Sequence, residues 1–268
     1  MWSCCGKHVS SAPCKGEEFH VSLDYQIGEL ESSWKFYVTP AIVGASSDIR
    51  QAVAIDCEMG TAKSGESELI RVTLIDYFST EVLVDSLVSP DVDMLHYNTR
   101  FSGVSASQMR QARSQGRCLR GKRRAREAVW RFVGPNTVVI GHSAHNDLNS
   151  MRWIHYAVVD TWLIESMNAN YKDTEARQLE NSVSTEPVSI DKGNEPKDDQ
   201  QEKPKKKKKK GSGALSLKTL TMLRWGREIQ TNGRRGHDSL EDAIATRDLA
   251  HWNVRNKYCV GDSISMVK

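Results

Sequence analysis

Two acids stand where an apolar strand should still be running. In "QAVAIDCEMG", residues 51–60, Asp56 and Glu58 follow Val53 and Ile55, with Cys57 between them. Side chains two apart on a strand point the same way, so both carboxylates share one face and Cys57 turns to the other. Either the strand ends there and the acids face water, or they hold a divalent cation. Hard ions such as Mg²⁺ take carboxylate oxygens and keep several waters. A third acid, Asp147 in "TVVIGHSAHNDLNSM", comes directly after another apolar run. It could favour the first turn of a helix, where the dipole welcomes an anion. It also stands at the carboxyl end of a strand, where open α/β sheets place their sites.

"GHDSLEDA", residues 236–243, adds a histidine and a fourth acid. With Asp238 as N-cap and Glu241 three residues on, the pair would form a capping box. His237 then precedes the cap and Asp242 is the fourth helical residue, the two positions that a hydrophobic staple brings into contact. Ordinary capping would thus set an imidazole against a carboxylate. Both could instead face solvent, but Asp242 falls in the row of Leu240, Ala243 and Ile244, close to the face that must pack. Asp56, Glu58, Asp147 and Asp242 together could hold two Mg²⁺ (or Mn²⁺) roughly 4 Å apart, to activate a water and stabilise a leaving oxygen in phosphodiester cleavage. His237, with an ordinary pKa of about 6.5, could take the proton from that water. Nucleophilic catalysis finds no support: there is no G-x-S-x-G, no cysteine beside an activating partner and no Walker P-loop.

The elements that must carry these residues are legible on either side of one composition break. "QAVAIDCEMG", "ELIRVTLIDYF" and "EVLVDSLV" read as three successive strands, rich in Val and Ile and bounded by Gly, Ser and Pro. "NTVVIGH" and "YAVVDTW" are short buried strands, with a helix in "HNDLNSMRWI" between them. "GKRRAREAVWRFVG" reads as a helix ending at Gly134, and "LSLKTLTMLRWG" and "SLEDAIATRDLAHWNVRN" have helical spacing. Strands joined by short turns, followed by strands alternating with helices, predict an α/β domain over 50–258 built on a mixed sheet. The break is "YKDTEARQLENSVSTEPVSIDKGNEPKDDQQEKPKKKKKKGSG", residues 171–213, poor in branched apolar residues and dense in charge. It reads as a disordered insertion, which a surface loop tolerates because closure entropy grows only logarithmically with length.

In order, "AIDCEMG", "HYNTRFSGVSASQM", "VIGHSAHNDLNSM", "VVDTW", "LSLKTL" and "GHDSLEDAIATRDL" resemble the motifs of the DEDDh 3′–5′ exonucleases. They are most similar to the eukaryotic RNA exonuclease subgroup that holds the Rex-type enzymes and the interferon-stimulated exonuclease. The resemblance spans about Gln51 to Val254 apart from the insertion. It implies an RNase H-like fold with helices on both faces of the sheet, and removal of 3′-terminal nucleotides as 5′-monophosphates. By position it makes Asp56, Glu58, Asp147 and Asp242 the metal-binding acids and His237 the general base. It lays Met59 and Gly60 along the terminal nucleotide, and sets Ser102 and Gly103 in a loop facing the substrate. His142, Asn146 and Asp160 match recurrent polar positions near the site. His96 departs from the pattern, standing where the subgroup often has an acid. RNA is the implied substrate. DNA is the rival, to be told apart by contacts to the 2′-hydroxyl, and a non-catalytic RNA-binding module is the alternative of another class.

Outside that region, the chain of 268 residues opens with Cys4, Cys5, His8, Cys14 and His20. Cys5, His8, Cys14 and His20 could close around one Zn²⁺ in a knuckle over 1–30, or be incidental in a tail. Residues 31–49 read as a linker or packing arm and 259–268 as a C-terminal tail. The net charge is +3, but Lys203 and Lys205 to Lys210 supply seven positive charges, leaving −4 for the rest. That compact tract reads as a nuclear localisation signal, with a tether for phosphate backbones or a solvated run as alternatives. The apolar share of 38% and a mean hydropathy of -0.54 predict a soluble protein. No apolar run nears the roughly 20 residues that span a bilayer, and the N-terminus lacks the apolar core of a secretory signal. The cysteines are therefore expected in a reducing compartment.

Overall fold

A computed structural model describes residues 27–28, 31, 34–42, 48–169, 212–233 and 236–261. The candidate zinc ligands Cys5, His8, Cys14 and His20, the lysine tract, residues 262–268 and all but the last two residues of the expected insertion lie outside that set.

Strands β2 (Ala52–Ala62), β3 (Ser67–Asp76) and β4 (Val82–Ser89) form an antiparallel meander. Three more strands, β6 (Leu119–Arg120), β7 (Val138–Gly141) and β9 (Val158–Asp160), extend it in parallel pairing to the order β6-β4-β3-β2-β7-β9. A seventh, β5 (Met94–His96), pairs antiparallel with the end of β2. The sheet is mixed, as the order of strands and helices predicted.

β2 lies at the centre and its two rows of side chains face different layers. Val53, Ile55 and Cys57 pack with Val129 of α3 (Gly121–Trp130), and with Met151 and Trp153 just beyond α4 (His145–Ser150). Ala52 and Ala54 pack with Ala243 and Ala250 of α7 (Ser239–Gly261). Burial on both faces explains a strand that reads as a continuous apolar run rather than an alternation. The remaining α-helices among the described residues are α1 (Thr99–Ser102), α2 (Ala106–Ser114), α5 (161–169) and α6 (Leu217–Trp225). The fold class is the expected α/β one, with helices on both faces of the sheet. No helix among the described residues is long and apolar enough to cross a membrane.

Local departures have local causes. The helix expected to reach Gly134 stops at Trp130, because the Phe132 carbonyl accepts the Arg50 N–H at 2.8 Å and draws the chain toward β2. The helix read into "HNDLNSMRWI" stops at Ser150. Arg152 takes a left-handed conformation (φ 53°), and Trp153–Ile154 becomes β8, paired in parallel with β1 (Tyr37–Val38). That pairing docks the segment before β2 on the domain. Thr39 accepts the Trp153 indole N–H at 2.8 Å and lies 2.7 Å from His155 Nδ1, while Arg126 stacks 4.2 Å over Tyr37.

Candidate active site

Asp56 and Glu58 continue the row of Ala52 and Ala54, so the face that packs α7 ends in two acids. Their partners across the ladder are Thr73 and Arg71, and the register slips between Glu58 and Met59. Bulges of this kind re-aim side chains and concentrate beside active sites. α7 begins on the same face. The Ser239 hydroxyl, fully buried, sits 2.6 Å from the Thr73 hydroxyl and ties the helix start to β3. One turn on, Asp242 points at the strand. Carboxylate oxygens of Asp56, Glu58 and Asp242 lie within 4.8 Å of one another. Asp147 approaches from α4, whose preceding strand β7 is the parallel neighbour of β2. Its Oδ1 accepts the Cys57 backbone N–H at 2.8 Å, so it stands beside the trio rather than within it.

The capping box is only half formed. Asp238 Oδ1 accepts the Leu240 N–H at 3.2 Å and pairs with Arg71 at 3.0 Å. Glu241 does not reach back to the cap; its Oε2 accepts the Gln230 backbone N–H at 2.7 Å instead. The staple contact does form, with His237 Nδ1 3.6 Å from Asp242 Oδ2. A brace behind the histidine sets that distance. The His237 N–H donates to the Phe101 carbonyl at 2.6 Å, and Gly236 lies flat on Gly103 and Thr99. A Cβ at Gly236 would fall 2.2 Å from the Gly103 nitrogen, and its φ of +83° favours glycine. The segment "RFSG" thus acts as a backstop for the imidazole.

Electrostatics mark the cluster as under-compensated. Burial, then the charges of Asp147, Asp242 and Glu58, push Asp56 well above the usual carboxylate range, with Arg71 pulling the other way. Burial and Asp242 push Glu58 up to about 8, again against Arg71. Burial takes Asp147 to about 7, opposed by the Cys57 N–H, and Asp242 to about 6, opposed by the Gln230 amide. Arg71 is already held by Asp85 at 2.9 and 3.0 Å and by Asp238. Buried like charges repel and resist ionisation until a cation joins them, so the donor set fits a hard divalent ion. Burial, then Lys218, lowers the His237 pKa, which keeps the imidazole neutral near pH 7.

The cluster borders an open cavity of about 380 Å³, shared by Asp56, Gln230, His237, Asp242, His142 and Trp162. The other residues expected near substrate divide. Met59 is half-buried, and its carbonyl accepts from Asn98 Nδ2 at 3.3 Å. Gly60 is buried where β5 runs alongside β2, with Met94 Cε 2.5 Å and the His96 carbonyl 3.0 Å from where a Cβ would sit. Ser102 is turned inward: its hydroxyl donates to the Tyr97 carbonyl at 2.7 Å, so it shapes the loop and leaves nothing for a ligand. Gly103 backs Gly236, as above. His142 lines the cavity with both ring nitrogens engaged, by Thr161 at 2.9 Å and by the Leu215 carbonyl at 3.1 Å. Asn146 and His96 are exposed. Asp160 is a scaffold: its carboxylate accepts the N–H groups of Ser143, Ala144 and Trp162, each at 2.9 Å. It thereby holds Ser143 in a left-handed turn (φ 61°) and fixes the start of α4. Arg71 and Gln230 were not anticipated. Arg71 could have been found from its expected place opposite the acids on the next strand; Gln230 lies in a loop, with no local signal.

No protein-family model matches the chain. RNA exonuclease 3 of Candida glabrata is 30% identical over 172 residues, covering 62% of this chain and 41% of that protein. RNA exonuclease 3 of Saccharomyces cerevisiae is 29% identical over 259 residues, covering 93% and 49%. The chain is thus similar in sequence to proteins named RNA exonuclease 3. It spans about half the length, or less, of these relatives. The fold is that of the Pan2 catalytic unit (protease and nuclease domain) of Neurospora crassa, with a TM-score of 0.52 at 18% identity over 87% of this chain and 33% of that one. It also matches the Saccharomyces cerevisiae Pan2 pseudoubiquitin hydrolase–RNA exonuclease module solved with AAGGAA RNA, with a TM-score of 0.54 at 19% identity over 82% and 32%. In this chain acids approach from β2, α4 and α7, and the brace from α1 backs the histidine.

Proposed function

We propose that this chain is a metal-dependent 3′–5′ exoribonuclease that hydrolyses the terminal phosphodiester bond of RNA and releases 5′-mononucleotides. The observation that carries the reading is the set of three carboxylates within 4.8 Å of one another, with the His237 imidazole 3.6 Å from one of them. Asp56, Glu58 and Asp242 would hold divalent cations, two by resemblance to the DEDDh enzymes, with Asp147 of α4 the fourth acid by the same resemblance. Bound there, Mg²⁺ or Mn²⁺ would acidify a water and offset charge on the leaving oxygen. His237 takes the water's proton. With Nδ1 turned to Asp242, Nε2 is the nitrogen left to accept it, and the lowered pKa keeps it available. RNA as substrate is supported by the relatives' names and by the Pan2 structures with RNA, and nuclear location through the lysine tract belongs to the same proposal.

Labelled RNA and DNA strands, incubated with Mg²⁺, Mn²⁺ or EDTA, test it. The expected product pattern is a ladder shortening from the 3′ end of RNA, abolished by EDTA and by Asp56→Asn. Internal cuts, or an Asp56→Asn protein that keeps its rate, would overturn the reading.

A further inference from the structure

We propose that Gln230 is the positioning residue for Asp242, aiming its carboxylate at the cation site and setting how tightly the site takes a divalent ion. The inference rests on the metal-dependent reading above. The Gln230 side-chain amide donates to both oxygens of Asp242, at 3.2 Å to Oδ1 and 3.0 Å to Oδ2. Gln230 borders the same cavity as Asp56 and His237.

Several contacts fix the backbone from which that amide projects. Gln230 adopts a left-handed backbone (φ 56°), which a residue with a Cβ keeps only where its surroundings enforce it. Its N–H is held by Glu241 Oε2 at 2.7 Å, the carboxylate that capping would have used elsewhere. Its carbonyl accepts from Lys218 Nζ at 3.3 Å. The preceding residue, Ile229, is fully buried among Leu217, Leu220, Ala245 and Leu249 and anchors the loop between α6 and α7.

An amide suits the task. A guanidinium or ammonium on Asp242 would neutralise it and compete with the cation, whereas a neutral donor orients the carboxylate and favours its ionised form. A carboxylate has about four lone-pair positions, so two are left for a cation and for His237. The same loop carries His237, and so presents Asp242 with its orienting donor from one end and its imidazole from the other.

The test uses the full chain with Gln230→Met, which keeps the length and removes the donors, and Gln230→Asn, which withdraws the amide by one methylene. Mn²⁺ affinity is read by calorimetry, and RNA degradation is followed against Mg²⁺ concentration. Partners that orient a metal ligand are worth roughly 10- to 100-fold in affinity. That weakening is expected for Gln230→Met in both measurements, with a smaller shift for Gln230→Asn. At saturating Mg²⁺ the rate and the KM for RNA should return to wild-type values, which a merely structural role would not permit. Unchanged Mn²⁺ affinity in either variant overturns the proposal, as does a rate that saturating Mg²⁺ does not restore. A wild-type protein with neither Mn²⁺ binding nor EDTA-sensitive degradation overturns the exonuclease reading itself, and this proposal with it.

Discussion

His237 and Asp242 meet at the start of α7 with the α1 brace behind the histidine, and what distinguishes them is the company they keep. The imidazole is half-buried beside Lys218, which with burial lowers its pKa, while the carboxylate sits in a ring of like charge. One group is thereby kept neutral and basic, the other kept hungry for a cation. If His237 accepts the proton, His237→Ala should lower the RNA degradation rate by roughly 10² to 10⁴. Its Mn²⁺ affinity by calorimetry should stay near wild type, because Asp56, Glu58 and Asp242 are intact. A His237→Ala enzyme as fast as wild type would remove the base from the mechanism.

At the scale of elements, the site depends on how β2 and the loop into α7 are placed. β2 is buried on both faces and carries its two acids just before a bulge, where the row packed on α7 gives way to carboxylates. The loop into α7 brings His237 only because Gly236 can lie on Gly103. Gly236→Ala should push the loop off its α1 brace and cost about 10²-fold in rate, the scale of an ångström of misplacement. Gly213→Ala, where a Cβ meets nothing within 4 Å, should be close to wild type. Equal rates for the two variants would show that the brace does not set the histidine's position.

Across the whole molecule, the cluster makes stability depend on pH. Glu58, Asp147 and Asp242 titrate in the folded protein at about 8, 7 and 6, above their ordinary values of 4.5, 3.8 and 3.8. Between about pH 4 and pH 8 the folded state therefore holds more protons at these groups than the unfolded one. Stability from them is present at low pH and lost as pH rises. In EDTA the melting temperature should fall from pH 5.5 to pH 8, and Glu58→Gln should flatten the slope. Mg²⁺ should raise it more at pH 8, where ligands are already deprotonated, than at pH 5.5. An EDTA slope that Glu58→Gln leaves unchanged would show that the cluster does not govern it.

Much of the fold and site was legible in the residues alone, for a physical reason. Strand period, apolar runs and cap spacing are local, so Asp56 and Glu58 on one face, Asp147 in a first turn and His237 against Asp242 followed from neighbours in the chain. What local spacing could not supply was any contact made across the fold. Glu241 leaves the cap for Gln230, Asp147 turns to the Cys57 N–H, Ser102 spends its hydroxyl inward, and Arg71 reaches Asp238 from another element. In each case the partner comes from another part of the chain or another element, and the tertiary packing brings it within reach.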